Sequence, residues 1–302
     1  MYHLATLIPP LQRVRRLPLS RDQLMLLIAA INEIFLSVDV YLAHSTSGQL
    51  KPNEWIPVIF GVTAGVLLLL AGVIAIRFRP LATILANIVL LASVVVGLLG
   101  IYFHLSRTVL LSSPLGQQSA VSALIWAPPV LGPAAFILVG VLGISAAWIE
   151  SPPDSGALIL LGQRRLRLPY SKTRAYFFIV ALFALITVIS STLDHAQSGM
   201  RNPLTWLPLF AGVFAVSVSL VLGLLSKPSR SDLSIYTATM LMLIVVGVVG
   251  AFLHLNVDLV PNGTVVIERF LRGSPLMAPL LYANVGLIGL IVLLNPGEGN
   301  DA

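Results

Sequence analysis

Nine residues between His44 and Ala64 recur, without a gap, 151 residues further along the chain: His44, Ser47, Gly48, Pro52, Trp55, Pro57, Gly61, Val62 and Ala64 return as His195, Ser198, Gly199, Pro203, Trp206, Pro208, Gly212, Val213 and Ala215. A second echo, offset by 150, repeats Gly97, Gly100, His104 and Leu105 as Gly247, Gly250, His254 and Leu255. A period this long holds several helices, so it implies two copies of one helical unit packed together and excludes a solenoid of short repeats. The histidines are among what was copied.

The copied unit reads as a membrane unit. Of the 302 residues 57% are apolar and 10% charged, and mean hydropathy is +0.94, whereas soluble domains carry about 25% charged residues. Eight apolar segments, at 22–44, 54–77, 80–104, 122–149, 173–196, 204–226, 232–255 and 275–294, are each expected to be helices crossing the roughly 30 Å of hydrocarbon. Four spans per copy is an even number, so both copies enter the membrane in the same direction and are related by a twofold axis along its normal. The expected fold is an all-α integral membrane protein of eight transmembrane helices in two tandem parallel four-helix repeats. Its parts are a tail (1–21), the first repeat (22–149), a basic linker (150–172), the second repeat (173–295) and a short C-terminal tail (296–302).

Basic residues orient the bundle. Thirteen of the eighteen lie in the N-terminal tail, the second loop, the linker and the sixth loop; the other side holds Lys51, Arg107, Arg201, Arg269 and Arg272. The positive-inside rule then puts both termini in the cytoplasm of a cell whose plasma (inner) membrane holds the chain. Because the net charge of +6 is sorted by loop, it points to the lipid bilayer as partner and not to nucleic acid. The tail is expected to remain in place, since no apolar core precedes a small-residue cleavage site. Homo-oligomerisation or a larger membrane complex is left open by the sequence.

In this topology His44, His104, His195 and His254 end helices 1, 3, 5 and 7, at one depth on the outer face. Carboxylates accompany them: Asp39 below His44, Asp194 beside His195, and Asp258 one turn after His254. With no cysteine in the chain, thiolate sites, iron–sulfur clusters and c-type haem are excluded, and imidazole with carboxylate is the donor set left for a transition metal. Gly97 and Gly100 share a helical face with His104, as Gly247 and Gly250 do with His254, so a b-type haem held by the histidines is a second expectation, with the glycines as its smooth bed. The bland reading of the same residues is helix capping by histidine and helix packing by glycine.

Helix 1 adds a mid-membrane acid. Glu33, Ser37, Tyr41 and His44 fall at i, i+4, i+8 and i+11 and suggest a proton relay towards the outer face, with Asn32, Asn284 and Thr239 as the other polar groups at Glu33's depth. An acid at that depth costs on the order of 2.5–3.5 kcal/mol to insert, so it must face the bundle interior and is expected to donate a hydrogen bond to an oxygen there. The leading expectation is a polytopic membrane protein with a histidine and carboxylate site for a transition metal or b-type haem. The alternatives are a proton- or cation-coupled transporter and a non-catalytic subunit of a membrane complex. No catalytic motif for hydrolysis, nucleotide binding or metalloprotease chemistry occurs, and whether the chain is an enzyme is not decided by its sequence.

Overall fold

The computed structural model describes residue 7 and residues 19–45, 48–110, 131–160, 164–259, 266, 275 and 277–294. Eight helices are found among them: α1 (Arg21–Ser45), α2 (Trp55–Ile74), α3 (Arg79–Leu110), α4 (Leu131–Ala147), α5 (Lys172–Gln197), α6 (Trp206–Leu224), α7 (Arg230–Asp258) and α8 (Met277–Val292). Six of these are long and apolar enough to cross a membrane, and α4 and α8 are shorter apolar helices. The all-α class expected from the sequence is thus observed, apart from a small sheet in the linker. That sheet pairs β1 (Ile149–Glu150), β2 (Ala157–Ile159) and β3 (Arg165–Arg167) antiparallel in the order β1-β2-β3.

Contacts organise the helices as two rings. In the first, α1 packs on α2, α2 on α3, α3 on α4 and α4 on α1; in the second, α5, α6, α7 and α8 close in the same order. The most extensive contacts between the rings are α4 with α5 and α1 with α8. The buried core runs through both, from Met25 and Leu90 to Tyr236 and Val292.

Small residues set how closely the helices approach. A Cβ on Gly97 would lie 2.6 Å from Ile137 Cγ1 and 2.9 Å from Pro133 O, and one on Gly247 would lie 2.5 Å from Ala283 N and 2.8 Å from Pro279 O. In return Gly140 seats against Leu90 O and Gly286 against Met240 O. These are backbone-to-backbone contacts that only glycine permits, and they lock α3 to α4 and α7 to α8 in one register.

That register corrects one pairing drawn from the sequence. By the 151-residue offset of the sequence echo, Ala127-Pro128 corresponds to Ala278-Pro279, which predicts that these two prolines open the fourth and eighth helices. Residues 127–128 lie outside the described residues, and the proline that meets Gly97 and Gly100 as Pro279 meets Gly247 and Gly250 is Pro133. Pro57 and Pro208 stand third in their helices, within the first turn, where a missing N–H breaks no intrahelical bond, and Pro133 and Pro279 are third among the described residues of theirs.

Candidate functional site

The four histidines come together in twos. His44 of α1 and His104 of α3 have ring centroids 5.9 Å apart with planes at 65°, and His195 of α5 and His254 of α7 lie 6.2 Å apart at 83°. Two of the rings are oriented by main-chain carbonyls: His44 Nδ1 is 2.9 Å from Val40 O, and His254 Nδ1 is 2.9 Å from Pro275 O. A carbonyl only accepts, so Nδ1 carries the hydrogen in both, and in the neutral ring Nε2 keeps its lone pair free. Contrary to the expectation that His104 and His254 end their helices, α3 and α7 run on to Leu110 and Asp258. His254 therefore bonds a carbonyl from the segment before α8 and does not cap its own helix.

A cavity of about 100 Å³ opens inside the first ring, with Asp39, His44, Glu54, His104, Pro133 and Phe136 among the residues around it. Asp39 thus shares a space with His44 and His104. Asp258 is buried at the end of α7. Among the described residues no three His, Asp or Glu side chains stand close enough to enclose a metal ion. The histidines supply two donors per half, and further ligands would have to come from water or from a carboxylate that moves.

Gly97, Gly100, Gly247 and Gly250 are covered by α4 and α8. A porphyrin laid along those faces would have to displace a helix.

Glu33 and Ser37 are fully buried, and Tyr41 is 42% exposed. Eight residues at 3.6 per turn carry Tyr41 about 80° round the helix from Glu33, whereas eleven bring His44 back to within about 20°. Tyr41 therefore leaves the polar stripe and packs beside Trp55, ring centroids 6.1 Å apart. Ser37 donates to Val58 O. The partner of Glu33 is instead Ser93 of α3, whose Oγ reaches both Glu33 Oε1 and, at 2.9 Å, Phe136 O. One hydroxyl hydrogen shared between two acceptors makes only a weak three-centre bond. Both bonds are strong together if Ser93 donates to the carbonyl and Glu33, as a carboxylic acid, donates to Ser93. Glu33 Oε2 is buried with no partner among the described residues.

Ser93 was not among the polar groups singled out at Glu33's depth, although its position midway along the 80–104 segment was there to be read. A second cluster was also missed. Arg21 and Lys172, 151 residues apart, open α1 and α5 and are both buried. Lys172 Nζ donates to Asp22 Oδ2 (2.5 Å) and Trp148 O (2.6 Å), Tyr176 OH donates to Asp22 Oδ1 (3.1 Å), and Arg21 Nη1 donates to Thr173 Oγ1 (2.7 Å). Both cations also sit over the Tyr176 ring. The cluster ties the two rings together at the helix ends opposite the histidines.

No family model, curated protein or solved structure matches this chain.

Proposed function

We propose that the chain is an integral membrane protein of two tandem four-helix repeats whose histidine pairs, His44/His104 and His195/His254, each bind a divalent transition metal at the membrane face away from both termini. The observation that carries this is the pairing itself. Two imidazoles from neighbouring segments meet at matching positions of both rings, at 5.9 and 6.2 Å between centroids, and two rings sharing an ion at about 2.0–2.1 Å per nitrogen stand roughly 5–6 Å apart. The carbonyl-oriented Nδ1–H groups of His44 and His254 are the outer-shell arrangement that leaves Nε2 as ligand. Asp39, Asp194 and Asp258 are the carboxylates at hand, and open coordination positions fit an exchangeable ion better than a structural one. The repeat is supported by the 150- and 151-residue echoes, the two rings of contacts and the pair of cross-contacts, α4 with α5 and α8 with α1, which exchange under a twofold. The thirteen-to-five sorting of basic residues favours cytoplasmic termini in the plasma membrane.

Purified full-length protein, equilibrated with Zn²⁺ or Co²⁺ and desalted, should retain two ions per chain. His44→Ala with His104→Ala should lower this to one, and the same pair of changes at His195 and His254 should do likewise. Retention of no metal would refute the reading, and a Soret band would replace it with haem.

Glu33 favours a second reading, a proton- or cation-coupled transporter. A buried acid bonded to Ser93, below a cavity that reaches His44 and His104, is the composition of a membrane proton site. If the chain moves protons, Glu33→Gln abolishes flux in proteoliposomes while the helicity of the protein is unchanged. Full flux in that variant would rule the role out.

A further inference from the structure

We propose that the linker segment Arg164–Tyr170 is a docking surface for the anionic phospholipid headgroups of the bilayer that the helices cross; the proposal rests on the membrane reading above.

The hairpin is bonded to the start of α5. Glu150, itself buried, accepts from Gly156 N (2.7 Å), Lys172 N (2.9 Å) and Asp154 N (3.1 Å), which joins β1, the β1–β2 turn and the first residue of α5. Leu158 of β2 is 3% exposed. Beyond β3 the chain bends so that the Tyr170 ring meets Phe178, centroids 5.4 Å apart. Phe178 lies about 9 Å along α5 from Lys172 at 1.5 Å per residue. The end of the segment, Tyr170, is thus seated on the flank of α5.

What this platform presents is basic. Arg164, Arg165 and Arg167 are all exposed, and their guanidinium groups have no hydrogen-bond or ion-pair partner among the described residues. Two apolar groups stand between and after them, Leu166 at 41% and Tyr170 at 36% exposure. Arginine with an exposed leucine and an interfacial tyrosine is a composition for the headgroup zone, where guanidinium binds phosphate in a fork and the apolar groups reach the upper acyl region.

The strand adds donors. Leu160 N donates to Arg164 O (2.7 Å) and Leu168 N to Gly156 O (2.8 Å), so even-numbered residues of β3 face β2. The main-chain N–H groups of Arg165 and Arg167 therefore lie along the outer edge of β3, which no other strand among the described residues pairs with. The same end of the bundle carries Arg77, Arg79, Lys227 and Arg230 in the α2–α3 and α6–α7 connections and first turns, so the charge is complementary to an anionic surface as a whole.

The test compares full-length protein in nanodiscs of phosphatidylcholine alone and of phosphatidylcholine with phosphatidylglycerol, by amide hydrogen exchange of Arg165 and Arg167. Flotation of the protein with lipid checks the membrane reading separately. Exchange should slow about tenfold in the anionic discs, and the variant R164Q/R165Q/R167Q, whose changes are all on exposed side chains, should lose the difference at unchanged helicity. Each arginine removed should weaken enrichment of the anionic lipid about fivefold. Equal exchange in both lipids would overturn the proposal, as would a difference surviving in the triple variant. Inorganic phosphate reproducing the protection in phosphatidylcholine discs would overturn it in favour of a soluble anion.

Discussion

The two halves share their packing and differ in what fills the middle. A Cβ on Gly61 would run into Glu33 O and Ser37, and one on Gly212 would run into Val188, the residue 151 positions after Ser37. Gly140 and Gly286 seat against Leu90 O and Met240 O in the same way. At the interior positions related by the same offsets, Glu33 stands against Ala184, Ser37 against Val188, and Ser93 against Leu243, all of them buried. Close helix approach needs a small residue at a fixed place, whichever groups lie inside. The interior accepts either an apolar set or a polar set whose hydrogen bonds are met. The second ring closes around Ala184 and Leu243, so the acid–serine pair is not what shapes the ring, and its presence in the first half calls for a chemical reason.

The largest effect is expected from transplanting the acid. Ala184→Glu puts a carboxyl at the buried position that matches Glu33, where the position matching Ser93 is the apolar Leu243, and stability should fall by about 3 kcal/mol, the insertion cost of such a group. Adding Leu243→Ser should show a favourable coupling of roughly 0.5–3 kcal/mol in the double-mutant cycle. Equilibrium unfolding in mixed detergent measures both. Free tolerance of Ala184→Glu would mean that water reaches that position and that the two interiors are not different solvents.

The shared packing predicts equal penalties. Gly140→Val and Gly286→Val each drive a side chain into a backbone carbonyl and should cost roughly 1–3 kcal/mol, alike in the two halves. A penalty confined to one half would show that the rings are packed differently despite the matching glycine contacts.

Much of this comparison could be read in the sequence, for reasons specific to each feature. The eight apolar segments and the recurring glycines survive as helices and contact points because hydrophobic length and small-residue spacing are one-dimensional signals. The histidine pairs were legible through the echo that aligned them. Rotation about a helix axis was not: Tyr41 was read as one stripe with Glu33, and the drift of about 80° over eight residues turned it outward. Ser93 was missed because a depth match between two segments does not tell which faces meet. Arg21 and Lys172 were counted as loop charges, since the positive-inside rule sorts basic residues by side and is blind to partners such as Asp22 and Tyr176. The register of α4 was misread for a similar reason. Three proline positions near its start, 128, 129 and 133, fit a helix beginning equally well, and only the contact with Gly97 and Gly100 selects Pro133.

The smallest effect, and the most informative about the first half, is expected at the acid–serine pair itself. Ser93→Ala removes the hydroxyl between Glu33 and Phe136 O, leaves two buried groups without a partner and should cost about 1–3 kcal/mol. Glu33→Gln should cost well under about 1 kcal/mol, because the amide N–H₂ can donate to Ser93 Oγ where the acid O–H did and Ser93 can go on donating to the carbonyl. The two variants therefore separate the shape of the network from its ability to release a proton. Difference infrared spectroscopy reads that proton directly: the native protein should show the carbonyl stretch of a carboxylic acid at neutral pH, and Glu33→Gln should remove it. If the band is missing from the native protein, Ser93 gives its hydrogen to a carboxylate, Phe136 O goes without, and the first half holds a buried anion instead of a stored proton. The proton-coupled reading would then give way to a cation that Glu33 binds through its free Oε2.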